Sequence, residues 1–138
     1  MSERRIVVTG TGTINPLGNN VADTWKNASQ GKSGVAQIRR FDASALSSTV
    51  AGEVKDFDYT QHFEGDYLKT AKRMDPFVHY AAASLNQALE ASGIEIEPNA
   101  EKIGICIGSG MGGMDAQHNN SAALATKGSR RVSPFYIP

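Results

Sequence analysis

The chain has 138 residues, 40% of them hydrophobic and 20% charged, which suits one modest folded domain and argues against a disordered chain. Fourteen Lys and Arg balance fourteen Asp and Glu, so no overall charge draws the chain to nucleic acid or to a membrane. A single cysteine excludes an internal disulfide, and no apolar run is long enough for a signal-peptide core or a membrane span, so we expect a soluble cytoplasmic protein.

The first half of the chain predicts two strands separated by a helix and a loop. The β-branched residues of "RIVVTGTG" are typical of a buried strand. The stretch "NNVADTWKNASQG" predicts a helix that Asn20 caps and Gly31 ends. A loop over residues 32–47 leads to a strand over residues 48–54, and one short helix is expected near residues 66–73. In the helix that Asn20 caps, the apolar side chains of Val21, Trp25 and Ala28 fall on one face.

The second half begins with the clearest element, a helix from Asp75 to Gly93. Asp75 is its predicted N-cap, Pro76 suits the first helical position, and the many alanines allow close packing against it. A strand in "KIGICIGSG" and a weaker helix over residues 115–127 follow. Strands that alternate with helices favour an α/β fold with a parallel sheet covered by helices.

Glycine-rich stretches suggest nucleotide binding, but each match is incomplete. Residues 108–113 have the glycine spacing of a P-loop, yet Met114 and Asp115 stand where Lys and Ser or Thr would hold phosphate and magnesium. The "GKS" of residues 31–33 ends a helix instead of following a strand. After the first strand, Asn15 occupies the third glycine position of the dinucleotide fingerprint. We therefore expect no nucleotide cofactor.

The candidate catalytic side chains are Cys106 and His79. Cys106 lies between Ile105 and Ile107, which favours a small buried residue in a strand over a nucleophile, because burial raises the pKa of a thiol. His79 could serve as a base for an unseen nucleophile, but its helix position favours a packed or surface residue. No two histidines have ligand spacing, so a zinc site is not expected.

Two basic clusters border predicted helices, and the last residues are apolar. Each cluster is either ordinary solvated charge or a docking surface for an acidic partner. The clusters are Lys69, Lys72 and Arg73, and Lys127, Arg130 and Arg131. Residues 132–137 look like the start of a segment that needs burial.

Seven segments in order resemble the N-terminal part of the bacterial β-ketoacyl-acyl carrier protein synthases of type II. They are "RRIVVTGTGTINPLGN", "TWKNASQGKSGV", "RFDAS", "AGEVKDFD", "RMDPFVHYA", "IGSGMGG" and "RRVSPFYIP". The resemblance implies the thiolase fold, built from two stacked αβαβα units. It also implies an acyltransferase of fatty-acid elongation, which condenses an acyl chain with malonyl-acyl carrier protein by decarboxylative Claisen condensation.

By the same resemblance, residues 1–138 form only the first, incomplete half of that fold. The family's nucleophilic cysteine, two histidines and lysine would lie beyond the segment that matches "SPFYIP". Cys106 matches the strand before the glycine turn and is not the nucleophile. We therefore expect no catalytic residue and no cofactor in this chain, and no condensing activity from the chain alone.

The resemblance also gives the candidate binding residues and partners. The expected partners are acidic acyl carrier protein and a second subunit in a homodimer, with no nucleic acid and no membrane. The acyl pocket would include Met111, as a gate, and Tyr136 and Ile137, although Met111 and Ile137 could equally fill a core. Carrier-protein docking would fall to Lys69, Lys72, Arg73, Arg130 and Arg131.

Two alternatives remain open at this point. The chain could be a non-enzymatic module that binds carrier protein, or another thiolase-fold member such as a polyketide chain-initiation partner. An incomplete sheet would also expose apolar surface, from which we expect self-association of the chain.

Overall fold

The computed structural model describes residues 5–134 and Tyr136. In that part of the chain it has four α-helices and two strands. They are α1 (Val21–Ser29), β1 (Val35–Gln37), β2 (Val50–Gly52), α2 (Gly65–Ala71), α3 (Pro76–Ser92) and α4 (Met114–Lys127). Three short 3₁₀ helices connect them, at Tyr59–His62, Glu97–Lys102 and Ser129–Arg131.

The chain divides into two compact units. The first unit consists of Met1–Asp58 and Ala82–Ile103, and the second of Tyr59–Ala81 and Gly104–Pro138. The first therefore holds α1, both strands and most of α3, and the second holds α2, the start of α3 and α4. The buried residues among those described are few and small: Ala43 and Ala83 in the first unit, Ala71 and His79 in the second.

In the first unit, the segment around Gly10 and Gly12 lies in close contact with α3. A Cβ atom added at Gly12 would meet the carbonyl oxygen of Ser84 and lie 2.8 Å from the Cβ of Gln87. The side chain of Gln87 accepts from the backbone N–H of Thr13 at 3.2 Å and donates to the carbonyl oxygen of Asn19 at 2.9 Å. The close packing expected from the small residues of α3 is confirmed.

Helix α1 begins and ends where the sequence predicts. The side chain of Asn20 accepts from the backbone N–H of Asp23 at 2.8 Å, and Gly31 has a left-handed φ of 67° just after the helix. The predicted apolar face is wrong, however, because Val21 and Trp25 are both exposed. Two polar residues of α1, Thr24 and Asn27, are half-buried instead and hydrogen-bond to the preceding loop.

The sheet differs from the prediction in both size and direction. β1 lies inside the segment predicted as a loop, and it pairs with β2 in antiparallel register, with Ala36 opposite Ala51. No parallel sheet is present in residues 5–134. A strand needs a neighbour that takes up its N–H and C=O groups, and only β1 and β2 have one among the described residues.

The two apolar stretches predicted as buried strands do not form strands here. Ile6 is 91% exposed in the first unit, and Ile105 is 68% exposed in the second. Cys106 is also exposed, so its predicted burial is corrected. Both stretches have the composition of sheet interior but lack a paired strand on which to bury it.

Candidate functional site

The first basic cluster lies at the end of α2, in the second unit. Lys69 is in the last turn, and Lys72 and Arg73 follow directly; all three are exposed. The Nζ of Lys69 lies 2.8 Å from a carboxylate oxygen of Asp66, one turn earlier. An exposed pair of this kind contributes about 0–1 kcal/mol, so Lys69 can exchange Asp66 for an external acidic group at little cost.

The second basic pair, Arg130 and Arg131, forms the 3₁₀ helix that follows α4 in the same unit. Both side chains are exposed. Gly128, with φ of 81°, ends α4, and the side chain of Asn120 accepts from the backbone N–H of Ser133 at 2.7 Å. That hydrogen bond attaches the segment after Arg131 to α4, which fixes the position of the 3₁₀ helix that contains Arg130 and Arg131.

The charge of the chain is unevenly divided between the two units. The second unit contains six Lys and Arg against four Asp and Glu, while the first contains eight against ten. No acidic residue follows Asp115 in the sequence. Lys127, Arg130 and Arg131 therefore lie in a segment that has no opposing charge in its own sequence.

An apolar cleft of about 540 Å³ lies in the second unit beside the first basic cluster. Tyr136 lines it, whereas Met111 does not and is 73% exposed. Ile137, the third predicted pocket residue, lies outside the described residues. The cleft is lined by Thr70, Arg73, Met74, Asp75, Phe77, Val78, Ser109, Gly112, Gly113, Ala116 and Tyr136.

The glycine turn before α4 forms one wall of this cleft. A Cβ atom added at Gly112 would lie 2.9 Å from the ring of Phe77, and Gly113 has a left-handed φ of 71°. Only glycine fits both positions without strain. The carboxylate of Asp75 accepts from the backbone N–H of Ala116 at 3.2 Å and supplies the cap that Gly113 cannot.

His79 is the buried polar residue of this unit, with 8% of its surface exposed. Its Nε2 lies 2.8 Å from the carbonyl oxygen of Ala71, the last residue of α2. Tyr59 stacks on its ring with the centroids 4.2 Å apart, and Phe63 meets it edge-on at 5.9 Å. His79 is therefore a packed helix residue, one of the two positions, packed or surface, that the sequence favoured.

The described residues offer neither a metal-ligand group nor a membrane-spanning helix. They contain no group of three or more His, Cys, Asp and Glu placed to hold a metal ion. No helix within the described part is long and apolar enough to cross a membrane.

Comparison with known proteins gives the family. The sequence profile described as "Beta-ketoacyl synthase, N-terminal domain" matches residues 3–138. The chain belongs to the beta-ketoacyl synthase family. It is 48% identical over 139 aligned residues to the 3-oxoacyl-[acyl-carrier-protein] synthase 2 of Vibrio harveyi and 43% identical to that of Synechocystis sp.. Both alignments cover all of this chain and 33% of the relative, so the chain spans about a third of the length of these curated relatives.

Two solved structures extend the likeness of this family member to the fold. The ishigamide ketosynthase/chain length factor aligns over 98% of this chain and 33% of its own, with a TM-score of 0.76 and 24% identity. A ketosynthase bound to the hexaketide, in complex with its type II PKS acyl-carrier protein, aligns over 95% of this chain and 34% of its own. Its TM-score is 0.62 at 22% identity. The chain thus has a ketosynthase-like fold.

Sequence reasoning about this family member missed one structural residue. Asp75 was expected to cap α3, and its carboxylate hydrogen-bonds to the start of α4 at Ala116, 41 residues away. No local signal could reveal that contact, since the sequence around Ala116 carries no trace of its partner. The docking and pocket roles of the predicted residues stay predictions.

Proposed function

We propose that this chain is the N-terminal part of a type II beta-ketoacyl-acyl carrier protein synthase. The whole enzyme would condense an acyl chain with malonyl-acyl carrier protein in fatty-acid elongation. The observation that carries the proposal is the identity of 41–48% to proteins named 3-oxoacyl-[acyl-carrier-protein] synthase 2, over at least 98% of this chain. The ketosynthase-like fold supports it.

The proposed share of the fold is the first, incomplete half of a layered αβαβα arrangement. Alignment to a third of each relative supports this. The exposed apolar stretches around Ile6 and Ile105 support it as well, because they have strand composition and no strand partner. The whole enzyme would be a cytoplasmic homodimer, and its nucleophile and remaining catalytic groups would come from outside these 138 residues.

The proposed role of the exposed cations in this chain is to dock acidic acyl carrier protein. The docking residues would be Lys69, Lys72, Arg73, Arg130 and Arg131, which are all exposed and all belong to the unit with excess positive charge. A solved relative of similar fold is a ketosynthase in complex with its acyl-carrier protein. Charge at such a surface acts chiefly on encounter rate and register.

The acyl pocket is the second proposed contribution of this chain. Tyr136 lines the apolar cleft, which supports a role against an alkyl chain. Met111 is exposed at the tip of the glycine turn and would act as a gate toward chemistry supplied by another part of the enzyme. Ile137, next to Tyr136 in sequence, would take part in the same pocket.

The test of docking is a binding titration of this chain with acyl carrier protein. Charge reversal at Lys72, Arg130 and Arg131 should weaken binding by about tenfold or more, which corresponds to about 1.4 kcal/mol. Lys26→Glu, an exposed helical cation of the other unit, is the matched control and should leave binding unchanged. Equal affinity of the triple variant and the parent chain would overturn the docking role.

The same preparation tests the expected lack of activity. The chain alone should give no β-ketoacyl product from acyl- and malonyl-acyl carrier protein. Product formation would contradict the proposed division of the enzyme. A non-enzymatic carrier-binding module would also show salt-dependent binding without turnover. To separate an enzyme fragment from such a module, the remaining two-thirds of a relative is added in trans. Recovered turnover then indicates the enzyme fragment.

A further inference from the structure

His79 lies where three segments of the second unit meet. It belongs to α3, its ring stacks on Tyr59 of the 3₁₀ helix before α2, and its Nε2 reaches the carbonyl oxygen of Ala71. Phe63 closes the edge of the ring. The imidazole therefore connects α3 to the segment that carries the first basic cluster.

The hydrogen bond of His79 has a fixed direction. A carbonyl oxygen can only accept, so Nε2 must carry the proton and donate it to Ala71. The same oxygen also accepts from the backbone N–H of Met74 at 3.0 Å. One donor comes from a turn local to α2 and the other from α3, so the end of α2 is fixed both within its own segment and against its neighbour.

Helix α2 depends on this contact because it is short. Seven residues give too few internal hydrogen bonds for an isolated helix to persist in water. The side chain of Ala71 is fully buried, so the last residue of α2 is packed as well as hydrogen-bonded. Lys72 and Arg73 come next in the chain, and their positions follow from where Ala71 is held.

We propose that His79 is a positioning residue for the carrier-docking surface. By donating from Nε2 to Ala71 it holds the end of α2 at a set position and so places Lys72 and Arg73 for an acidic partner. The inference rests on the proposed docking function.

Two substitutions separate the hydrogen bond from the ring. His79→Gln places an amide N–H near the position of Nε2 and removes the aromatic stack. His79→Phe keeps the stack with Tyr59 and removes the donor. We expect His79→Gln to bind acyl carrier protein within about twofold of the parent chain and His79→Phe to bind about five- to tenfold more weakly. The amides of residues 72–74 should also exchange at least tenfold faster in His79→Phe.

The salt dependence of binding distinguishes positioning from a loss of folded protein. Misplaced cations should make the affinity of His79→Phe depend less steeply on salt concentration, since fewer ionic contacts form. A substitution that only lowers the folded fraction scales the affinity and leaves that slope unchanged.

Lys72→Glu shows which idea fails. If Lys72→Glu weakens binding while His79→Phe binds like the parent chain with the same salt slope, the positioning role is overturned and docking stands. If charge reversal at Lys72, Arg130 and Arg131 together has no effect on binding, both are overturned. If His79→Gln and His79→Phe weaken binding equally, the donated hydrogen bond does not position the end of α2 and the inference is wrong.

Discussion

The Oδ2 atom of Asp75 lies 3.2 Å from the backbone nitrogen of Ala116, so the residue before α3 caps the start of α4. The N-cap position of α4 is Gly113, which has no side chain to accept a hydrogen bond. A carboxylate at this end of a helix also interacts favourably with the helix dipole. The contact joins the two helices that flank the apolar cleft.

Removing the carboxylate of Asp75 should destabilise the chain. Asp75→Ala leaves the backbone N–H of Ala116 without its acceptor, and we expect a loss of about 1 kcal/mol in the free energy of unfolding. Urea denaturation measures this. Asp66→Ala is the matched control, because that carboxylate is exposed and forms a surface ion pair with Lys69, and it should change stability by under about 0.5 kcal/mol. Equal effects of the two substitutions would contradict the cross-helix cap.

A methyl group at Gly12 should disrupt the first unit. Gly12→Ala places its Cβ against the backbone of α3 at Ser84, so the segment around Gly12 must move away from α3. We expect a loss of about 1–3 kcal/mol in thermal or urea denaturation. Gly104→Ala is the control, since no atom lies within 4 Å of the added Cβ and φ there is not left-handed. A neutral result for Gly12→Ala would mean that the close approach to α3 is absent in solution.

The exposed position of Cys106 predicts free access to its thiol. A thiol reagent such as a maleimide should modify the native chain at a rate within about tenfold of that measured in denaturant, because no packed side chains shield the sulfur. Mass spectrometry of the timed reaction gives both rates. Slowing by several orders of magnitude in the native chain would indicate the buried strand that the sequence alone suggested.

The apolar stretch around Cys106 should promote self-association of this chain. Ile105 and Ile107 are both largely exposed, and an extended apolar segment without a strand partner can pair with a second copy. Replacing both with lysine should shift sedimentation toward the monomer. Leu124→Lys changes an exposed apolar residue on α4 and serves as the control, with little expected effect. A parent chain that sediments as a monomer at all concentrations would rule this prediction out.

Asp42 provides a prediction about pH. Hydrogen bonds from Ser44 hold the pKa of the Asp42 carboxyl below its ordinary value of 3.8. The backbone N–H of Ser44 has the larger effect and its hydroxyl the smaller. Since the folded chain favours the charged form, this contact stabilises the fold above that pH and the stabilisation is lost as the pH falls through the lowered pKa. An NMR titration should give a midpoint below 3.8, and Ser44→Gly, which removes the hydroxyl, should move it upward in part.

Local sequence predicted the helices well. Asn20 caps α1, Pro76 begins α3, and Gly93 has the left-handed φ of 63° that ends it. Each of these effects acts over at most four residues, so the residue types and their spacing contain the necessary information. The resemblance of seven ordered segments likewise predicted the family, which the matching profile confirms.

The strands were predicted less well for a physical reason. The composition around Ile6 and Ile105 is that of buried strands, yet a strand exists only where another strand takes up its hydrogen bonds. β1 was missed because its three residues become a strand only by pairing with β2, thirteen or more residues later. Burial of Cys106 failed for the same reason, since its environment depends on partners and not on its neighbours in sequence.

By itself, the sequence determined the helix boundaries, the family and the charge of the exposed clusters, because these depend on nearby residues or on residue type alone. Only the tertiary structure decided that Asp75 caps α4, that His79 joins α3 to the end of α2, and that Tyr136 lines the cleft while Met111 does not. These are contacts between atoms far apart in the chain or at the surface of a fold, and their distances are set by packing that no local pattern records.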